Sequence, residues 1–497
     1  MNHLKYKLIL AFSIIVCQFG LFNKQAMSQN DLTLQSIKII PQSNFTNPAL
    51  RPPMKFYIGL PGFSSFYFGL NHNGFNYRNL VKEGADLDPT IYSPDSTYIT
   101  TESENEALSK MTKKNFILAK VNEEILSGGF QYQEHFFTVS LSEKIDFRYG
   151  YPKDLMNLAI NGNAEFIGKT IDLDGLNFDF VHYRELSLGW SRPVNEQLIV
   201  GGHLKLLTGL SNLWMKKNKS TIAIDDLNFG HTAIPDYTLY MTTPDFINDS
   251  VSFYNDSIDK MGGIREPTSS DIKSYMKNFK NFGAAIDLGL TYKVNEEIDL
   301  GVSFLDLGYI KFKKNTQKFS SKDDANFAFD GYFVKNAILL GRKDQAGDSI
   351  QKIYFDQLKD SIANNFNTVC SNESYWYPLT PKIYLSGNYT FTENDNAGLL
   401  IRSEIFNRKL HPSVTLSYNR KIGTYVSLAA SYSIWNRSYT NFGFGFAANG
   451  GPVQLYVVTD NLTVLFIPEK SKNLMVHTGI NFIFGYQNKV KGKPLIK

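Results

Sequence analysis

Through much of the second half of the chain, apolar and polar residues alternate one for one. From Leu474 to Tyr486 one parity reads Leu474, Val476, Thr478, Ile480, Phe482, Phe484 and Tyr486, while the other is mostly small or polar: His477, Gly479, Asn481 and Gly485. The same split recurs from Leu379 to Phe391, from Thr424 to Ile434 and from Phe282 to Val294, where Phe282, Ala284, Ile286 and Leu288 oppose Gly283, Ala285, Asp287 and Gly289. A period of two marks strands with one apolar face. A strand of about 13 residues, at roughly 3.3 Å each, reaches about 43 Å, enough to cross a tilted hydrocarbon band. No segment past residue 28 holds the long apolar run of a membrane helix, so a membrane form of this chain must be a closed barrel.

The pattern places strands at 56–71, 114–121, 129–142, 176–192, 197–212, 279–294, 297–312, 379–391, 396–406, 411–420, 424–435, 439–447, 451–460 and 473–486. Tight turns at Asn195-Glu196, Asn295-Glu296, Asn394-Asp395, Lys421 to Gly423 and Asn449 to Gly451 then fall on one side. The long connections at 72–113, 143–175, 213–278, 313–378 and 461–472 fall on the other, with two short ones at 407–409 and 436–437. Short periplasmic turns and long external loops are the asymmetry of outer-membrane barrels. The expected fold is all-β: a transmembrane antiparallel up-and-down β-barrel of about 14 strands, within a range of 12 to 16, with a short N-terminal plug and helical extracellular insertions. The range reflects the short strand 114–121 and a further pair within 219–243.

The insertions carry helical patterns. Ser349 to Phe366 sets Ile350, Ile353, Tyr354, Leu358 and Ile362 on one face, and Ser270 begins another helix with Ile272, Tyr275, Met276 and Phe279. Pro152 opens a third before Leu155, Met156, Leu158 and Ile160. These faces either pack on one another as external caps or fold over the barrel mouth.

At the start, Lys5 and Lys7 precede an apolar stretch from Leu8 to Phe22 and then Ala26-Met27-Ser28, the layout of a secretory signal peptide, 1–28, cleaved after Ser28. Bulky Ile14-Ile15-Val16 before Cys17 argues against lipidation there. The exported chain keeps one cysteine, Cys370, which excludes an internal disulfide and a cysteine-based zinc site. Residues 29–54 form the plug segment, 55–486 the barrel and 487–497 a basic tail with Lys489, Lys491, Lys493 and Lys497. Lys+Arg 51 against Asp+Glu 47 leaves a net charge of +4, which excludes a dedicated nucleic-acid partner.

Catalytic motifs are missing from the sequence: there is no His-Glu-x-x-His, Gly-x-Ser-x-Gly or phosphate-binding Gly-Lys-Ser/Thr loop, so the chain reads as no enzyme and needs no cofactor. Asp172-Leu173-Asp174-Gly175 lacks the later ligands of a calcium loop and reads as a turn. His411 and Ser413 share lumen parity but have no orienting partner in the pattern. Phe442, Phe444 and Phe446, opposite Gly443 and Gly445, read as lipid-facing. Lys205, Asp287, Lys382, Arg402 and Glu404 fall on lumen parity, since charges facing lipid cost up to a few kcal/mol. They are expected to pair into a network holding plug to wall; contact with a permeant is the alternative.

Asn47-Pro48-Ala49, the strand Ala285 to Tyr292, and Ser303-Phe304-Leu305-Asp306-Leu307-Gly308 resemble the long-chain fatty-acid transporter superfamily of outer-membrane barrels. The likeness is nearest to uncharacterised Bacteroidota outer-membrane barrels and the barrel partners of type IX secretion. It implies a plugged channel for a hydrophobic small molecule, with Asn47, Pro48 and Ala49 in the hatch that fills the lumen. The chain departs from that pattern in its short hatch, followed by Arg51-Pro52-Pro53, and in the tail beyond the last aromatic strand. The alternative is a barrel scaffold that docks a secretion, surface-attachment or envelope-assembly partner through its insertions. A transporter is expected to enclose an apolar pocket beneath the plug. In either case the membrane-side partner is outer-membrane lipid.

Overall fold

The computed structural model describes residues 31–83, 97–98, 100–227, 229–244, 267–323, 325–329, 368–406, 409–435 and 438–486. The signal peptide, the helix at 349–366, residues 407–408, residues 436–437 and the basic tail lie outside the described residues.

Fourteen antiparallel staves close into a barrel. In chain order they are β1 (Phe56–Gly59 and Ser65–His72), β2 (Lys114–Tyr132), β3 (His135–Pro152), β4 (Asn177–Pro193), β5 (Leu198–Asn218), β6 (Phe282–Lys293) and β7 (Ile298–Phe312). They continue with β8 (Lys382–Thr390), β9 (Asp395–Phe406), β10 (Lys409–Ile422), β11 (Val426–Trp435), β12 (Ser438–Gly450), β13 (Val453–Thr459) and β14 (Asn473–Phe484). Each stave pairs with the next, and both halves of β1 pair with β14 on one side and β2 on the other. Closure leaves no edge strand, which is what lets a sheet sit in lipid.

The two parities meet different surroundings. Leu204, Leu288, Leu416 and Phe442 are about half exposed on the outside, whereas Lys205, Asp287, Thr415 and Asn441 are buried inside. This apolar exterior is the lipid-facing surface of a transmembrane barrel. No described helix is long and apolar enough to cross a membrane.

Several boundaries differ from the pattern-based expectation. The wall runs through 143–152, so the first large external insertion after β3 begins past Pro152, and the strand expected at 114–121 continues to Tyr132. The connecting turn falls at Gln133, whose φ of 53° gives the left-handed bend. Charged residues through 120–124 and 143–148 mask the alternation because they face a polar lumen. β5 likewise extends to Asn218. Residues 237–242, 316–321 and 368–371 add strands above the rim of β5, while 375–378 pairs with the top of β7. Leu379, expected on the lipid face, is buried among lumenal aromatics because it precedes β8.

Outside the mouth, α1 (Thr101–Lys110), capped by Thr100, and α2 (Lys153–Asn161), with Pro152 as N-cap, pack on each other and on Tyr151. Beneath α2 lies a small sheet of 170–172, 221–224, 231–234 and 327–329. The helix at Ser270 begins one residue earlier, as α3 (Ser269–Met276), because Thr268 and Asp271 form a reciprocal capping box.

Candidate functional site

Residues 31–54 fold back into the lumen before the chain enters β1 at the periplasmic end. Two short helical turns, Leu34–Ser36 and Pro41–Phe45, let this segment coil rather than pair as a strand. Leu34, Ile37, Ile39 and Ile40 pack on Ala429, Ala447, Tyr456 and Val458 of the wall.

Asn47, Pro48 and Ala49 lie together against β5, β6 and β7. Asn47 Nδ2 donates to the carbonyls of Leu290 (3.1 Å) and Val302 (3.4 Å), and its Oδ1 accepts from the Ala49 amide at 2.9 Å. The contact is possible because the wall is notched with glycine: a Cβ at Gly201 would strike the Pro48 carbonyl, and one at Gly289 would strike Asn47.

Lys205, Asp287 and Lys382 meet in one cluster. Lys205 Nζ lies 2.6 Å from Asp306 and 2.7 Å from Asp287, while Lys382 Nζ lies 2.5 Å from the second Asp306 oxygen. His203 Nδ1 is 2.9 Å from Asp287, and its Nε2 is 2.5 Å from Asn44 Oδ1 of the inner segment. Arg402 and Glu404 form a second cluster: Arg402 Nη2 donates to Glu404 at 2.7 Å, its Nε donates to Tyr384 Oη at 2.7 Å, and Glu404 also meets Lys120 at 3.0 Å and Arg148 at 3.5 Å. Each charge has opposite partners, as burial requires. The first network joins the neighbouring staves β5 to β8, and the second ties β9 to β2 and β3 across the lumen. The hydrogen bonds of these side chains run to other wall residues, with His203 to Asn44 as their link to the inner segment, whereas the pattern leads to the expectation of a network holding plug to wall.

The alternation missed Asp306. It shares parity with lipid-facing Phe304, but a register shift opposite Ile286 to Leu288 and a φ of 58° turn it inward. Arg148 falls beyond the strand end expected at 142, and Lys120, inside the strand expected at 114–121, sits where neighbouring charges mask the alternation. His411 and Ser413 are buried; their nearest bonds run to the carbonyls of Phe406 (3.3 Å) and Arg402 (3.4 Å). Asp172 Oδ1 accepts from the Asp174 amide, and Asp174 pairs with Lys114, an Asx turn. Among the described residues, no group of three or more His, Cys, Asp or Glu is placed to hold a metal.

Between the inner segment and the wall is a cavity of about 100 Å³, lined by Gln42, Asn44, Glu124, Lys144, Glu185 and the first charge cluster, among others. It is polar, not the apolar pocket expected beneath a plug. Apolar lining lies at the external end instead. There Trp214, Tyr240, Phe312, Tyr375 and Tyr377 stack, with Tyr240 and Tyr375 centroids 4.5 Å apart and Trp214 edge-on to Tyr377 at 5.5 Å. Tyr375 donates to Asn212 (2.8 Å) and Tyr377 to Asp179 (2.7 Å), so the hydroxyls are satisfied.

At the other end of the inner segment, the amides of Leu32 and Thr33 donate to the two oxygens of Asp460, at 3.0 and 2.8 Å. Asp460 lies just beyond β13.

Residues 48–460 match the model of a family described as a family of unknown function, DUF5723. The chain belongs to this family. No curated protein matches it. Among solved structures, the Pseudomonas putida toluene transporter TodX is 9% identical over 89% of this chain and 91% of that one, with a TM-score of 0.35. The Ralstonia pickettii toluene transporter TbuX is 7% identical over 93% and 97%, with a TM-score of 0.36. A Pseudomonas aeruginosa FadL homologue is 8% identical over 93% and 100%, with a TM-score of 0.34. At such identity no residue role passes from these proteins to a member of DUF5723. None of the descriptions names a secretion or envelope-assembly partner.

Proposed function

We propose that this protein resides in the outer membrane as a gated channel for a small hydrophobic molecule, with residues 31–54 as its plug. The observation that carries the reading is the occupied lumen. An N-terminal segment fills a closed barrel and meets the wall through neutral hydrogen bonds, glycine notches and a few charged contacts, Lys38 with Asp299, Asp31 with His477 and the Leu32 and Thr33 amides with Asp460, fewer than the charge clusters that tie the wall to itself.

The aromatic layer supplies the apolar contact at which such a molecule would first be held. Below it the charged clusters oppose an apolar permeant, so the resting barrel is shut and passage requires the plug to move. Asn47, Pro48 and Ala49 are the plug's foot on the wall, and Asp460 holds its inner end. The wall charges Lys205, Asp287, Lys382, Arg402 and Glu404 keep the barrel's cross-section when the plug leaves.

The test is binding of an apolar fluorophore, 1-N-phenylnaphthylamine, to the reconstituted protein. Saturable binding that is weakened at least tenfold by Trp214→Ala with Tyr375→Ala supports the reading. Binding unaffected by that pair in a folded barrel contradicts it.

A further inference from the structure

We infer that Ser65, His477 and Asp31 form a hydrolytic centre that cleaves a short-chain carboxylic ester inside the lumen. This activity goes beyond the channel reading. Ser65 Oγ is 2.7 Å from His477 Nε2, and His477 Nδ1 is 2.7 Å from Asp31 Oδ1. A carboxylate only accepts, so Nδ1 carries the proton and Nε2 is left as the acceptor for the serine hydroxyl. That tautomer makes the imidazole a general base towards Ser65.

Three distant parts of the chain converge here. His477 is on the last stave and Asp31 on the inner segment. Ser65 opens the second half of the first stave, directly after a turn at Leu60–Phe63 in which Gly62 has φ 74° and Phe63 N donates to Leu60 O. Asp31 itself has φ 62°, an uncommon backbone for a residue other than glycine, and the neighbouring amides of Leu32 and Thr33 are anchored on Asp460. The imidazole is edge-packed by Tyr67 and Tyr456, each with ring centroids 5.6 Å away, which fixes its plane.

All three residues line the cavity of about 100 Å³. At roughly 10–15 Å³ per water, it has room for a group of fewer than about ten heavy atoms, which sets the substrate class. Two buried donors that line the same cavity have no hydrogen-bond partner among the described residues: Arg402 Nη1 and Tyr67 Oη. They are the groups available to stabilise a developing oxyanion.

In the reaction Ser65 Oγ bonds to the acyl carbon while its proton passes to His477 Nε2. The ester C–O bond breaks, and the alkoxide leaves with that proton. Water, deprotonated by His477, then attacks the acyl-serine, releasing the acid and restoring Ser65. Asp31 is a positioning residue. Tyr456 Oη lies 3.5 Å from the same Nε2 and donates to the Ser64 carbonyl at 3.1 Å, so its proton is directed away from the imidazole.

The experiment uses the full exported chain in detergent, with methyl acetate as substrate, acid release followed by titration at constant pH, and methanesulfonyl fluoride as active-site label, each of five heavy atoms and so within the cavity's limit. The expected result is label on Ser65 and hydrolysis that falls about a thousandfold in Ser65→Ala. Asp31→Asn should lower kcat with little change in KM. Ser65→Cys controls for folding: it should keep the heat-modifiable barrel and move labelling to a thiol reagent. Wild-type hydrolysis no faster than that of folded Ser65→Ala, or label on other residues only, overturns the proposal. Neither outcome bears on whether the barrel conducts.

Discussion

The barrel wall and the segment inside it are held by different forces. Buried wall side chains meet each other through ion pairs, as when Glu404 gathers Arg402, Lys120 and Arg148, or Lys205 gathers Asp287 and Asp306. The inner segment meets the wall mainly through backbone amides, side-chain amides and close apolar packing: Gln454 Nε2 to the Ile39 carbonyl (3.0 Å), Gln42 to Asn481 (2.9 Å), Asn47 to the β6 and β7 carbonyls; its charged side-chain pairs with the wall are Lys38 with Asp299 (3.0 Å) and Asp31 with His477 (2.7 Å). Removing one partner from a buried ion pair leaves an uncompensated charge, whereas a neutral contact costs far less to break. The difference teaches that the wall is built to persist and its contents to be exchangeable.

The largest break of this contrast should come from Glu404→Ala, which strands three cations and is expected to destabilise the barrel by about 3–5 kcal/mol, read from unfolding in detergent. Next, Phe444→Arg places a charge on the lipid side opposite Ala430; a loss of about 2–4 kcal/mol at midplane depth is expected. A wall that tolerated both would not be membrane-embedded with a paired lumen.

Plug docking should next be weakened by Asp460→Ala, which removes the acceptor of the Leu32 and Thr33 amides at a cost of about 2–3 kcal/mol. Protease access to the segment in intact proteoliposomes should rise. The smallest effect is expected from Asn47→Ala, which gives up two carbonyl contacts and the Asx turn at a cost of about 1–2 kcal/mol. It should increase protease access without lowering barrel stability.

The wall was legible in the sequence because lipid and lumen impose opposite chemistries on neighbouring residues. β6, β12 and β14 show the alternation plainly. Legibility failed where a local device breaks the period or where the lumen is as polar as water. The bulge at Asp306 reverses its parity, and the charges of 143–148 made a strand look like a loop. The contents of the lumen were legible only as a segment and a set of inward charges. That Lys205 and Lys382 share the Asp306 carboxylate while Asp287 pairs with Lys205 follows from the barrel's cross-strand register, which no local pattern carries. The Ser65–His477–Asp31 chain was invisible for the same reason: His477 is more than four hundred positions from the other two, and the three meet only once the barrel closes around the folded-back segment.

The most direct test of the plugged-barrel account is ion conductance of the purified protein in planar bilayers, with and without residues 31–54. The account predicts a closed wild type and a deletion variant that opens steady channels while keeping its heat-modifiable fold. A folded deletion variant as silent as the wild type would contradict it, because the lumen would then be shut by the wall itself.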